Sequence, residues 1–249
     1  MLEATHQIET SDGTMGCFSV HPEEGRAYPA VILYMDAPGI REELREFCRR
    51  IAGQGYYVLL PNMYYRPGTT PFDYVELMDP TTGAATMKKM FAAMGSLTNE
   101  LVMRDSRAML DFLATQSAVT SGAKGCIGYC MSGQYVVSAA GTFPEDIAAA
   151  ASLYGVSIVT DQPDSPHLLA DRIRGELYLG FAETDEYVPD NVVPDLVAAL
   201  DANGVAHRTE TFPTTHHGFC FPERGPAYSE KAAETVWDRV FDLFRRRLA

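Results

Sequence analysis

The sequence predicts an α/β fold, a mostly parallel central sheet with helices on both faces, and three observations carry that expectation. Short continuous apolar runs, Ala30 to Met35 and Tyr56 to Leu60, read as strands buried on both faces. Segments with helical periodicity fall between such runs, so strands and helices alternate along the chain. The third observation is Gly125 to Gly141, GCIGYCMSGQYVVSAAG, where an apolar strand enters a tight turn and leaves it as a helix of small residues.

Taken in order, His6 to Thr10 and Met15 to Val20 alternate on either side of Ser11-Asp12-Gly13, which predicts an antiparallel hairpin at the sheet edge. The strand Ala30 to Met35 is bounded by Pro29 and by Asp36-Ala37-Pro38-Gly39, and its carboxyl end should lie near a site. A helix follows from Glu42 to Gln54, with Leu44, Phe47, Cys48 and Ile51 on one face and Gly53 and Gly55 closing it. After the strand Tyr56 to Leu60, the stretch from Pro61 to about Thr82 is rich in Pro, Gly and aromatics and lacks periodicity. Such a long irregular connection is expected to serve a binding site, and residues 61–97 are read as a substrate-pocket segment. Met87 to Met94 and Glu100 to Leu113 are then helical. Beyond the Gly125 turn, Ala148 to Tyr154 and Glu176 to Phe181 read as strands joined by a Pro-containing loop at Asp161 to Pro166. A helix starts near Pro194 with Gly204 just past its end, Arg208 to Phe212 is a last strand, and Ala227 to Leu248 is an amphipathic helix with the one Trp, Trp237.

Composition narrows the function. A chain of 249 residues with 46% hydrophobic content can bury a large core, and one domain over 1–249 is expected. A formal net charge of −13 opposes nucleic acid or an anionic membrane surface as partner. Five cysteines with no CxxC pair suit free thiols in a reducing compartment, so a cytoplasmic location is expected. The first residues show no basic and apolar leader, and no run is long enough to span a membrane. No metal is expected, since no HExxH-like spacing occurs, and no cofactor, since neither GxGxxG nor GxxxxGK is present.

The chemistry concentrates at Cys130. In Gly128-Tyr129-Cys130-Met131-Ser132-Gly133 the cysteine sits at the apex of a strand-to-helix turn, and Gly128, Ser132 and Gly133 are small enough to let strand and helix close. The thiol is then presented at a helix N-terminus, where unpaired N–H groups favour a thiolate. Two later strand ends carry partners. Asp185 follows one in GFAETDEYVP, and His217 follows the next in HHGF, with His216 as the alternative base. Nucleophile, acid and base in that chain order is the arrangement of α/β-hydrolases.

These segments, together with the AVILYM strand and a Tyr228-containing C-terminal helix, resemble the dienelactone hydrolase family, a cysteine branch of the α/β-hydrolase fold, and the likeness runs across nearly the whole chain. The resemblance implies Cys130 as nucleophile, Asp185 as acid and His217 as base, His217 because the family histidine directly precedes Gly-Phe. It also implies Asp36 as the carboxylate that orients the resting thiol, where the family carries Glu, and Arg66 as the substrate-carboxylate ligand. The other readings of these two are a turn carboxylate and a surface arginine paired with Asp73 or Glu76. The family's second carboxylate-binding Arg lies where this chain has Phe221, and Arg224 could replace it only if the loop folds back. A more apolar pocket is therefore expected, lined by Tyr64, Tyr65, Phe72, Tyr74, Met87, Met90 and Phe91 and with Phe221 facing substrate. Backbone N–H groups of Ala37 and Met131 are expected to receive the oxyanion. The reaction so implied is hydrolysis of a small-molecule ester or lactone through a thioester, by a monomer or homodimer. The competing expectation is a hydrolase-fold ligand-binding or thiol-sensing module.

Overall fold

The computed structural model describes residues 1–69 and 71–248. Eight strands form one sheet: β1 (Leu2–Thr10), β2 (Gly13–His21), β3 (Ala30–Tyr34), β4 (Tyr57–Pro61), β5 (Lys124–Tyr129), β6 (Ile147–Leu153), β7 (Glu176–Thr184) and β8 (His207–His216). Their spatial order is β1-β2-β4-β3-β5-β6-β7-β8. From β4 through β8 in that order all neighbours pair in parallel, and the two antiparallel pairings lie at the edge, β1 with β2 and β2 with β4. The central strands β3, β4 and β5 are buried along their whole length, which is why β3 and β4 are continuous apolar runs without alternation.

Seven α-helices complete the fold: α1 (Glu42–Ala52), α2 (Tyr74–Leu77), α3 (Gly83–Met94), α4 (Asn99–Thr115), α5 (Gly133–Thr142), α6 (Val192–Ala202) and α7 (Glu230–Arg247). Successive residues of a strand point to opposite faces, and β5 shows what covers each. A side chain at Gly125 would run into Leu248 and Phe244 at the end of α7, whereas the Cys126 thiol points to the Val136 carbonyl of α5. On the α7 side Phe47 of α1 meets Trp237 edge to face at 5.2 Å between centroids. Helices therefore cover both faces, and every crossover delivers the carboxyl end of a strand to one edge.

The elements deviate from the sequence expectation in three places. The irregular stretch after β4 contains a short helix, α2, whose N-terminus is capped by Asp73 accepting from the Val75 N–H. The last helix begins at Glu230 rather than Ala227, because Pro222–Ala227 forms a 3₁₀ turn in which Gly225 takes φ 54°. A second 3₁₀ segment, Pro166–Arg172, extends the proline loop. Among the described residues no helix is long and apolar enough to cross a membrane.

Candidate active site

Cys130 directly follows β5, opening a 3₁₀ turn with φ 53°, the left-handed region that a side chain adopts only under constraint. The constraint is steric. A methyl on Gly128 would sit 2.7 Å from Ser132 Oγ and 2.9 Å from Val136 Cγ2, and one on Gly133 would sit 2.3 Å from the Gly155 Cα. Strand and helix close only because neither carries one. Ser132 Oγ fastens the turn, accepting from the Tyr129 N–H at 3.0 Å and lying 3.2 Å from the Tyr34 carbonyl of β3. The thiol is left half-buried at the floor of a cavity of about 270 Å³.

His217 lines the same cavity, brought there by the register of the last two strands. The pairing of β7 with β8 shifts between Ala182 and Thr184, so that Thr184 lies opposite His216 and the next residues on each strand, Asp185 and His217, emerge together. His217 Nδ1 is 2.9 Å and 2.8 Å from the two Asp185 carboxylate oxygens. Its ring lies between Tyr154 and Tyr187, with centroids 5.0 and 4.8 Å away. Nε2 is buried with no hydrogen-bond partner among the described residues. Burial lowers the imidazole's proton affinity, but the Asp185 hydrogen bond and the nearby Cys130 sulfur outweigh it and hold the pKa up at about 9. His216 is exposed and does not line the cavity.

The oxyanion-side loop after β3 is also ordered. Ala37 and Pro38 line the cavity beside Cys130, and the buried Tyr64 hydroxyl donates to the Ala37 carbonyl at 2.8 Å while resting 3.4 Å from Met131 Sδ. Tyr64 thus ties together the two residues whose amides are expected to face an oxyanion.

Arg66, Tyr65, Phe221 and Asp36 lie elsewhere than expected. Arg66 does not reach the cavity: its guanidinium grips Asp105 with two 2.8 Å hydrogen bonds and donates to Asp12. Its partners are neither Asp73 nor Glu76. Asp105 lies on the apolar stripe of α4 with Val102 and Met109 and is 1% exposed, so it must find a cation, and Arg66 supplies it. Tyr65 belongs to that cluster too, its hydroxyl 2.9 Å from Asp105 and 2.8 Å from Thr10, rather than to the pocket. Phe221 is core: it packs on Phe47 and Tyr129 beneath the Arg41 guanidinium. Asp36, wholly buried, is held by Arg41 Nη1 at 2.5 Å and Nη2 at 3.1 Å, and among the described residues no hydrogen bond joins it to the thiol. A carboxylate one methylene shorter than Glu, with a guanidinium beside it, is satisfied before it reaches sulfur.

Arg224 does enter the cavity. The loop folds back through the 3₁₀ turn after Phe221, where Arg41 also grips Glu223, and the Arg224 stem passes over Gly218, where a methyl would be 3.2 Å from its Cγ. Gly218 has φ 88°, so glycine serves there both the backbone and the passing side chain. The pocket segment contributes Tyr74, Leu77 and Met78 from α2 and its C-cap, and Met87, Met90, Phe91 and Met94 from α3. Tyr64 and Phe72, by contrast, are packed in the core.

A sequence model of the dienelactone hydrolase family matches residues 15–248. A provisionally named carboxymethylenebutenolidase of Synechocystis sp. is 28% identical over 226 residues, covering 89% of this chain and 87% of its own. One with the same provisional name from Aquifex aeolicus is 24% identical over 225 residues, covering 89% and 90%. Among solved structures, a provisionally named dienelactone hydrolase of Klebsiella pneumoniae superposes with TM-score 0.84 at 21% identity, over 98% of each chain, a likeness of fold. With the family model spanning all but the first strand and the turn after it, the chain belongs to the dienelactone hydrolase family and is a hydrolase of the α/β-hydrolase fold.

Proposed function

We propose that this hydrolase cleaves a carboxylic ester or lactone through a covalent thioester on Cys130, with His217 exchanging protons and Asp185 fixing the imidazole. The observation that carries the proposal is the Asp185–His217 pair, made through Nδ1, in one cavity with a cysteine held at φ 53°. Asp185 occupies Nδ1, so Nε2 is the nitrogen available to the thiol. With the imidazole in its neutral form, the thiol proton passes to His217, and sulfur bonds to the acyl carbon as the carbonyl π pair moves onto oxygen. The oxyanion is received by the Ala37 and Met131 amides. When the intermediate collapses, the C–O bond to the alcohol breaks and the imidazolium returns its proton to the leaving oxygen. Water, deprotonated by His217, then attacks the thioester, releases the acid, and the thiolate regains the proton.

The test uses p-nitrophenyl acetate with the purified full-length chain. Cys130→Ala and His217→Ala should each lower kcat/KM by at least about 1000-fold, and Cys126→Ser should not. Mass spectrometry after rapid acid quench should show an acetyl group on Cys130. Turnover retained by Cys130→Ala would remove the covalent step, and alkylation of Cys130 in a protein that turns over no ester would favour a thiol sensor.

A further inference from the structure

The Arg224 guanidinium is a half-buried cation with almost nothing to hold. Its Nε has no partner, no hydrogen bond leaves the group among the described residues, and its one charged neighbour, Asp36 Oδ2, is 3.9 Å away and already occupied by Arg41. Its Cζ lies over the Tyr74 ring, 4.7 Å from the centroid, a cation–π contact that uses none of its N–H groups. Buried donors left unpaired are costly, and a planar fork of this kind matches a carboxylate. Besides His217, Arg224 is the only basic residue lining the cavity among the described residues. The part of the lining contributed by the rest of α2, its C-cap and α3 has no charge at all: Leu77, Met78, Met87, Met90, Phe91 and Met94. A small dianion would place its second charge against thioethers and a phenyl ring, where nothing compensates it. Methionine side chains adapt to apolar groups of varied shape, so that wall accepts an extended hydrocarbon.

We propose that the substrate is an amphiphile: an ester bearing one carboxylate, held by Arg224, and an extended apolar arm, held by the α2–α3 methionine wall. This deepens the ester-hydrolase reading and rests on it for the reaction, but not for the recognition. Recognition is therefore tested by binding alone. Calorimetry of the full chain with octanoate, acetate and 1-octanol separates the two determinants, since acetate lacks the arm and octanol lacks the charge. Octanoate should bind at least about tenfold tighter than either. Arg224→Met should bring octanoate to the level of octanol, and Met90→Asn should weaken octanoate while leaving acetate unchanged. Equal affinity of acetate and octanoate would overturn the role of the methionine wall, and equal affinity of octanol and octanoate that of Arg224. Equal affinities in the three wild-type titrations overturn the proposal even if a variant does not fold. Ester turnover without selective octanoate binding would sink this proposal alone, whereas selective binding in a chain that hydrolyses no ester would sink the hydrolysis of esters and leave the recognition standing.

Discussion

At the scale of single residues, the turn around Cys130 depends on what its neighbours lack. Gly133 is the tightest point, because the atom a methyl would strike is the Gly155 Cα, which belongs to another backbone and cannot rotate away. Gly133→Ala should destabilise the protein by about 1 to 3 kcal/mol and lower activity further than stability alone explains, since the helix must retreat from Cys130. Urea denaturation beside kcat/KM checks both, and a variant with wild-type values in each would show that the turn has slack. This part of the site is legible in the sequence because small residues two before and two and three after an apex cysteine have few other uses. Arg66 was not legible in the same way. The signal that could have placed it was Asp105, a carboxylate on the apolar stripe of a helix, which had to be neutralised from somewhere. Charge balance inside the core outweighed the position that Arg66 occupies in the loop.

At the scale of elements, two connections set the cavity, and they differ in how they are held. The β7–β8 register shift places Asp185 and His217 side by side, so the proposed acid and base are fixed by the sheet itself. The loop carrying Arg224 has no ladder and is fastened by charge: Arg41 holds Asp36 beneath it and grips Glu223, whose N–H in turn donates to Glu43 at 3.0 Å. Strand ends are readable from the sequence, which is why Asp185 and His217 could be placed at the ends of neighbouring strands in advance. A fold-back through a 3₁₀ turn is not, because Gly225 and Pro226 mark a break in the chain without saying where it goes next. Arg41→Ala would leave Asp36 buried with only the distant Arg224 for company. It should cost about 3 to 5 kcal/mol, as loss of one member of a buried ion pair does, whereas Arg41→Met combined with Asp36→Asn should recover much of that loss. If urea denaturation puts Arg41→Ala within about 1 kcal/mol of the unaltered protein, the fastening of this loop lies elsewhere.

At the scale of the whole molecule, the charged groups that build the site also set the pH at which the fold is most stable. Burial, and then the neighbouring Glu223 carboxylate, push Glu43 up to about 7 from an ordinary 4.5. Burial works against protonation of His217, but Asp185 and the Cys130 sulfur raise it to about 9 from 6.5. Both groups bind their proton more tightly folded than unfolded, so each stabilises the fold fully below its unfolded value and loses that contribution as pH rises through its folded one. Glu43 therefore acts between about 4.5 and 7, and His217 between about 6.5 and 9. Glu176 opposes them: Arg246 hydrogen bonds hold it below its ordinary 4.5, so its contribution is present at neutral pH and is lost on acidification. A net charge of −13 adds repulsion as the remaining protons leave. The Tm should accordingly peak on the mildly acid side of neutrality and fall in two stages toward pH 9. Glu43→Gln should flatten the first stage and leave the second. Asp185→Asn, which removes the group that keeps His217 protonated, should flatten the second and leave the first. Differential scanning calorimetry from pH 5 to pH 10 on the three proteins separates these outcomes, and a wild-type Tm that rises from pH 6 to pH 9 would contradict both assignments at once.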